Sequence, residues 1–210
     1  MRLIMKGKFV ALIIILVVLS DQILKFYIKT HYVIGEYHEV LGSWFKLLFV
    51  ENEGMAYGWK FGGDPGKIIL TLFRLGAVIF GVWYLHSIVK KKYHPGFIVC
   101  AALIFAGAFG NLIDSMFYGM IFNETTPISV ATFLPKEGGY AGFLHGKVVD
   151  MFSFSFFPPI FNLADASIST GVIAILVFQK KFFKQAVENS TTETALDTTD
   201  ATLQNDNVNS

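Results

Sequence analysis

Two aspartates frame the stretch VVDMFSFSFFPPIFNLADASI (residues 148–168). Asp150 precedes an aromatic, proline-containing connector, and Asp165 follows it where a long apolar run begins. Carboxylates beside an apolar span are costly to place, and such positions point to function. Two of them brought together can share one proton and divide the acid and base roles between them. Asp165 also has a capping reading. Asn162 can cap the helix that follows, with Asp165 reaching back as the acid of a capping box, where the helix dipole favours it.

The elements that must position these acids are membrane spans. Of 210 residues, 53% are hydrophobic and 16% charged, with a mean hydropathy of +0.53. A soluble domain carries about 25% charged residues, so this is a membrane protein. The net charge of +1, with no basic patch apart from the lysines flanking the spans, argues against nucleic acid as a partner. The single cysteine, Cys100, lies in an apolar run and reads as a packing residue. Arg2, Lys6 and Lys8 followed by FVALIIILVVLS resemble a signal peptide. No small-x-small cleavage site follows, so a retained span is expected.

Four segments reach the roughly 20 residues that a helix needs to cross a bilayer: 9–28, 68–89, 97–117 and 160–178. Lysine and arginine cluster before the first (Arg2, Lys6, Lys8), between the second and third (Lys90, Lys91, Lys92) and after the fourth (Lys180, Lys181, Lys184). All three clusters fall on one side of a four-span arrangement, which is then cytoplasmic and holds both termini. The expected fold is an all-α transmembrane bundle of four helices with a small extracytoplasmic β-rich region. That region comes from two outer loops, 31–66 and 118–159. The first contains the strand-like run WFKLLFV (44–50). The second contains FSFSF (152–156), whose alternation puts three phenylalanines on one face, either against lipid headgroups or packed on the neighbouring loop. The membrane domain is expected over 1–186. The polar stretch 187–210 is expected to be a disordered cytoplasmic tail.

At 1.5 Å per residue, Asp21 lies roughly 18 Å up the first span and Asp114 roughly 26 Å up the third. Asp165 stands about one turn inside the fourth span, and Asp150 approaches from the outer loop. Four carboxylates therefore converge on the outer third of the membrane. Asp21 and Lys25 are four apart and can neutralise one another, or one of them can contact substrate. Asp114 closes the run GAFGNLID, whose Gly107 and Gly110 suit close helix packing, and Asn111 can satisfy backbone groups at the same level. Arg74, near the outer level of the second span, is expected to pair with Asp114 or Asp21.

Other chemistries find little support. His31, His38, His86, His94 and His145 show no metal-binding spacing, and neither a nucleophile elbow nor a phosphate loop is present. Ser20 stands near Lys25, which leaves a Ser–Lys pair open on composition. A transporter or proton-conducting subunit would spread polar groups through the whole membrane depth, whereas here the inner halves of the spans are apolar. A lipid-headgroup transferase would need a basic or histidine cluster that is missing.

Read together, SDQILKFYI (20–28), VENEGMAYG (50–58), GAFGNLIDSMFYG (107–119), VVDMF (148–152) and FNLADASI (161–168) resemble the lipoprotein signal peptidases, the type II signal peptidases of bacteria. The resemblance covers nearly all of the chain except the tail. It implies an intramembrane aspartyl endopeptidase of the bacterial inner membrane, with Asp150 and Asp165 as the catalytic pair and no metal or cofactor. Asp21, Lys25, Asn52, Gly54, Asn111, Asp114, Asn162 and Ala164 match the positions that line or support the site. The implied substrates are diacylglyceryl-modified prolipoproteins, cut on the amino side of the lipidated cysteine. Globomycin is the implied inhibitor, and a monomer is expected. Two departures stand out: Ser115 occupies the place of a usual arginine after Asp114, and the 119–147 loop is longer than usual. That loop is either a surface ornament or, with a hinge at Gly138 and Gly139, a lid over the cleft.

Overall fold

The computed structural model describes residues 6–53 and 63–183. Gly54 and the 187–210 tail lie outside the described residues. Four helices are long and apolar enough to cross a membrane. They are α1 (Gly7–His31), α2 (Gly63–Lys90), α3 (Pro95–Ile113) and α4 (Leu163–Phe183). The first two expected spans fall inside α1 and α2, and the third, 97–117, runs past the end of α3 at Ile113 into the turn that follows. The fourth begins later than the expected 160–178, because Pro158 and Pro159 hold the chain extended. Proline lacks an N–H to give to a helix, and here it sits in an edge strand where that loss is tolerated.

The start of α1, the end of α2, the start of α3 and the end of α4 share one apolar cluster of Val10, Leu85, Ile88, Phe97, Ile98, Cys100, Ala102 and Phe182. The helices therefore alternate in direction, and Cys100 packs as expected. The lysines Lys6, Lys8, Lys90 to Lys92, Lys180 and Lys181 all belong to this end of the bundle. The turn between α2 and α3 is tightened by Lys92 at φ 54°. His94 then opens α3, its Nδ1 accepting the Gly96 N–H at 3.1 Å with Pro95 at the first helical position.

The opposite end carries a four-stranded antiparallel sheet in sequence order: β1 (Tyr37–Leu41), β2 (Phe45–Asn52), β3 (Val148–Phe154) and β4 (Phe157–Phe161). Ile28, Tyr32, Phe49, Tyr118, Phe122, Ala131, Val149 and Met151 form the second core between this sheet, α1 and the end of α3. Along FSFSF, Phe152 and Phe154 join Phe45, Phe161 and Trp44 in an aromatic layer, while Phe156 at the β3–β4 turn is 74% exposed.

Between Asp114 and Tyr118 the third helix widens into a π turn before a last α-helical turn, Gly119–Ile121. The carbonyls freed by this widening are taken by the chain leading into β3: Gly146 N–H donates to Ser115 O at 2.9 Å and Leu144 N–H to Met116 O at 3.2 Å. Gly146 lies so close to the Asp114 carbonyl that a side chain has no room.

Candidate active site

Each of the four spans and the sheet contributes one side of a buried polar cluster. The ends of α3 and α4 approach because Gly107 rests on the Ala164 carbonyl, and at Gly110 a Cβ would stand 2.8 Å from Asp21 Oδ2 and 3.4 Å from Ala164 Cβ. This is the close packing expected of the two glycines. It brings Asn111 of α3 against the N-terminus of α4.

Asn162 caps α4: its Oδ1 accepts the Asp165 N–H at 2.9 Å, and the Asn162 N–H lies 3.5 Å from Asp165 Oδ2. The capping box is therefore formed. It occupies one carboxylate oxygen of Asp165, and the other accepts from Asn111 Nδ2 at 2.7 Å. Asn162 meanwhile donates from Nδ2 to Asp150 Oδ1 at 2.7 Å. One asparagine thus links the two aspartates. Asp150 projects from β3 opposite Val50 and diagonal to Asn52, whose Nδ2 donates to Asp150 Oδ2 at 3.1 Å. Burial, with the like charge of Asp165, pushes Asp150 up to about 7, against the hydrogen bonds from Asn52 and Asn162. A carboxyl poised there can hold or release a proton near neutral pH.

Behind this pair stands a charged layer with no exposure to spare. Lys25 Nζ lies 2.9 Å from Asp21 Oδ2 and 2.7 Å from Asp114 Oδ2, and donates to Asn111 Oδ1 at 2.8 Å. Asn111 is thereby oriented, its oxygen on Lys25 and its amide on Asp165. Asp21 does more than neutralise Lys25. Its Oδ1 accepts the Ala164 N–H at 2.9 Å, satisfying one of the unpaired donors at the start of α4. Asp114 Oδ2 lies 3.4 Å from the Val149 N–H, so it ties α3 to the strand that carries Asp150.

Of the expected residues, Asp21, Lys25, Asn52, Asn111, Asp114, Asp150, Asn162, Ala164 and Asp165 meet in this one network, while Gly54 lies outside the described residues. Arg74, expected against Asp114 or Asp21, donates from Nη1 to Ser115 Oγ at 2.8 Å, in the electrostatic reach of Asp165, Asp114 and Asp150. Ser115 Oγ in turn donates to the Asn111 carbonyl at 2.9 Å. Ser20 is exposed on α1 while Lys25 is wholly buried among acids, which removes the Ser–Lys pair. Sequence reasoning missed Gln22, whose Nε2 donates to Asp114 Oδ1 at 2.9 Å and whose Oε1 accepts from Tyr118 OH at 3.2 Å. Its one signal was a polar residue flanking Asp21 inside an apolar span. Among the described residues no three His, Cys, Asp or Glu side chains are grouped to hold a metal ion.

The 118–148 segment is bonded along its length. Leu134 N–H donates to Ile121 O at 2.8 Å, Tyr140 N–H to Phe122 O at 2.9 Å, Ala141 N–H to Gly119 O at 2.9 Å and Ala131 N–H to Lys29 O at 3.2 Å. Gly138 has φ 91°, but Gly139 is wedged against Gly119 and Met120.

The family model for signal peptidase (SPase) II matches residues 13–181. A lipoprotein signal peptidase of Porphyromonas gingivalis is 41% identical over 192 residues, covering 82% of this chain and 83% of the relative. One from Amoebophilus asiaticus is 29% identical over 197 residues, covering 84% and 79%. A bacterial membrane enzyme solved by the in meso method aligns with TM-score 0.59 and 28% identity, covering 86% of this chain and 93% of that one.

Proposed function

The chain belongs to the signal peptidase II family, and from that premise we propose that it is an aspartyl endopeptidase of the bacterial inner membrane. It removes the signal peptide from diacylglyceryl-modified prolipoproteins, with Asp150 and Asp165 as the catalytic pair. The observation that carries the assignment is the shared partner Asn162, which donates to Asp150 Oδ1 and caps Asp165. The other two acids are consumed by Lys25 and by backbone N–H groups.

In this reading one aspartate, ionised, takes a proton from water while the other, protonated, donates to the scissile carbonyl. Water adds to give a tetrahedral gem-diol, and the roles reverse as the amine leaves. The pair titrates as a unit. Asn52, Asn111 and Asn162 hold the carboxylate oxygens in place, and Asp21, Lys25 and Asp114 hold Asn111 and the α4 terminus. β1 pairs with β2 only from Phe45 to Leu48. Beyond it, the edge at 50–52 is where an unwound peptide would add by backbone pairing. The lysine-rich end is assigned to the cytoplasm with both termini, and the sheet end to the outer face, where water and acyl chains both have access. In this reading the working form is a monomer.

The test is a gel-shift cleavage assay on a diacylglyceryl prolipoprotein, with globomycin as a competing inhibitor. Asp150→Asn and Asp165→Asn should each lower kcat on the order of 10²- to 10⁴-fold while the protein stays folded. An Asp150→Asn enzyme, verified as full length, that cleaves at the wild-type rate would refute the assignment.

A further inference from the structure

A second buried charged cluster lies beside the pair, and the proposed reaction does not use it. Lys29, two turns along α1 from Asp21, is fully buried. Its ammonium is bonded to Glu51 Oε1 and donates to Thr125 Oγ1 at 3.1 Å, with the rings of Tyr140 and Phe122 at 5.1 and 5.4 Å. Lys147 Nζ holds the other oxygen of Glu51 at 3.2 Å, and Thr125 Oγ1 donates to Oε1 at 3.2 Å. Tyr140 OH accepts the Lys147 N–H at 2.6 Å. One carboxylate, 6% exposed, is gripped by a cation from α1, a cation one residue before β3, and a threonine of the 118–148 segment.

The place of Glu51 in the sheet gives this grip a purpose. The β2–β3 ladder shifts register between Leu47 and Val50, then resumes with Val50 opposite Asp150, Glu51 opposite Val149 and Asn52 opposite Val148. An irregularity of this kind loosens pairing, and a slip of one residue turns every side chain to the other face. Glu51 lies one residue past the point where pairing resumes. Neighbouring side chains on a strand point to opposite faces, so fixing Glu51 on one face fixes Asn52 on the other, toward Asp150. A buried ion pair adds little net stability once desolvation is counted, and its best-attested use is to set register.

We propose that Lys29, Glu51 and Lys147 are positioning residues that lock the β2–β3 register and so hold Asn52 on Asp150. The inference rests on the catalytic reading of Asp150. Lys147, 23% exposed at its side chain, is the variant least prone to misfold. Lys147→Met should lower kcat about 10- to 100-fold, the scale of a small misplacement of a catalytic group, with KM changed less than about threefold. Lys147→Arg should restore it. On an Asn52→Ala background Glu51→Gln should cost less than a further twofold, because both act through one contact. Lys46→Met, which breaks the partly exposed Lys46–Glu39 pair at 3.1 Å, should leave kcat unchanged. Register is read without activity by oxidising Asn52→Cys paired with Val148→Cys. The cross-link should form in the parent and fall at least about threefold with Lys147→Met. An unchanged kcat and cross-link in folded Lys147→Met, or additive losses for Glu51→Gln and Asn52→Ala, would overturn the lock. Because the cross-link does not depend on turnover, it decides the lock even if Asp150→Asn proves active.

Discussion

Replacing Lys25 with methionine would leave Asp21 and Asp114, 1% and 0% exposed, buried together without their cation. Removing one partner from such a group costs about 3–5 kcal/mol, so Lys25→Met should lower the denaturation midpoint far more than an exposed Lys→Met change. Adding Asp114→Asn should recover part of the loss. Asp150 gives a pH signature. Its folded pKa of about 7 stands above the ordinary 3.8, so between those values the folded state keeps a proton that the unfolded state has released. The contribution of Asp150 to stability is then greatest below about pH 4, falls as pH rises through about 7, and levels off above. Thermal melts from pH 4 to pH 8 should show this decline in the parent and a flatter profile in Asp150→Asn. At this scale the acids and asparagines were legible as types and spacings. The capping box of Asn162 and Asp165 was readable too, because it spans four consecutive residues. Gln22 and Tyr118 were not legible as a pair, because the contact joins positions 96 apart.

The helices position these side chains by close approach, and close approach depends on glycine. A Cβ at Gly107 would strike the Ala164 carbonyl. Backbone has little room to yield there, so Gly107→Val should cost about 1–3 kcal/mol. It should also reduce cleavage, by parting Asn111 from Asp165, with the loss read in parallel melts and cleavage assays. The spans were legible from apolar length and the sheet from the strand-like run in β2 and the alternation in β3, since each signal is local. The boundary of α4 was displaced because apolar content alone did not weigh the two prolines. The π turn had no local signal. Its cause is the docking of Leu144 and Gly146 onto Ser115 and Met116, a tertiary contact. The same applies to the 118–148 segment, whose bonds to α1 and α3 make it part of the wall around β2 and β3. Its length and its two glycines suggested a hinge; Gly138 has φ 91° and Gly139 packs against the backbone of Gly119 and Met120.

For the whole molecule the lysine clusters and the carboxylates lie at opposite ends of the bundle, and this polarity yields a direct prediction. Phe156→Cys at the exposed β3–β4 turn should react with a membrane-impermeant thiol reagent on intact cells, whereas Lys91→Cys should react only after permeabilisation. Cys100, 6% exposed in the apolar core, should stay unlabelled, and the reverse pattern would invert the orientation. The arrangement was readable from sequence because charge asymmetry and span count fix it jointly. The meeting of Asp21 with Ala164, 143 positions away, was not, because four antiparallel helices can be ordered around a bundle in more than one way. That one contact also sets a timetable for biosynthesis. Asp21 and Lys25 emerge early from the ribosome as a self-neutralising pair, but the donor that Asp21 awaits is delivered only with the last span. The polar network of Asp21, Lys25 and Asn111 can therefore close on α4 only once the last span is in place.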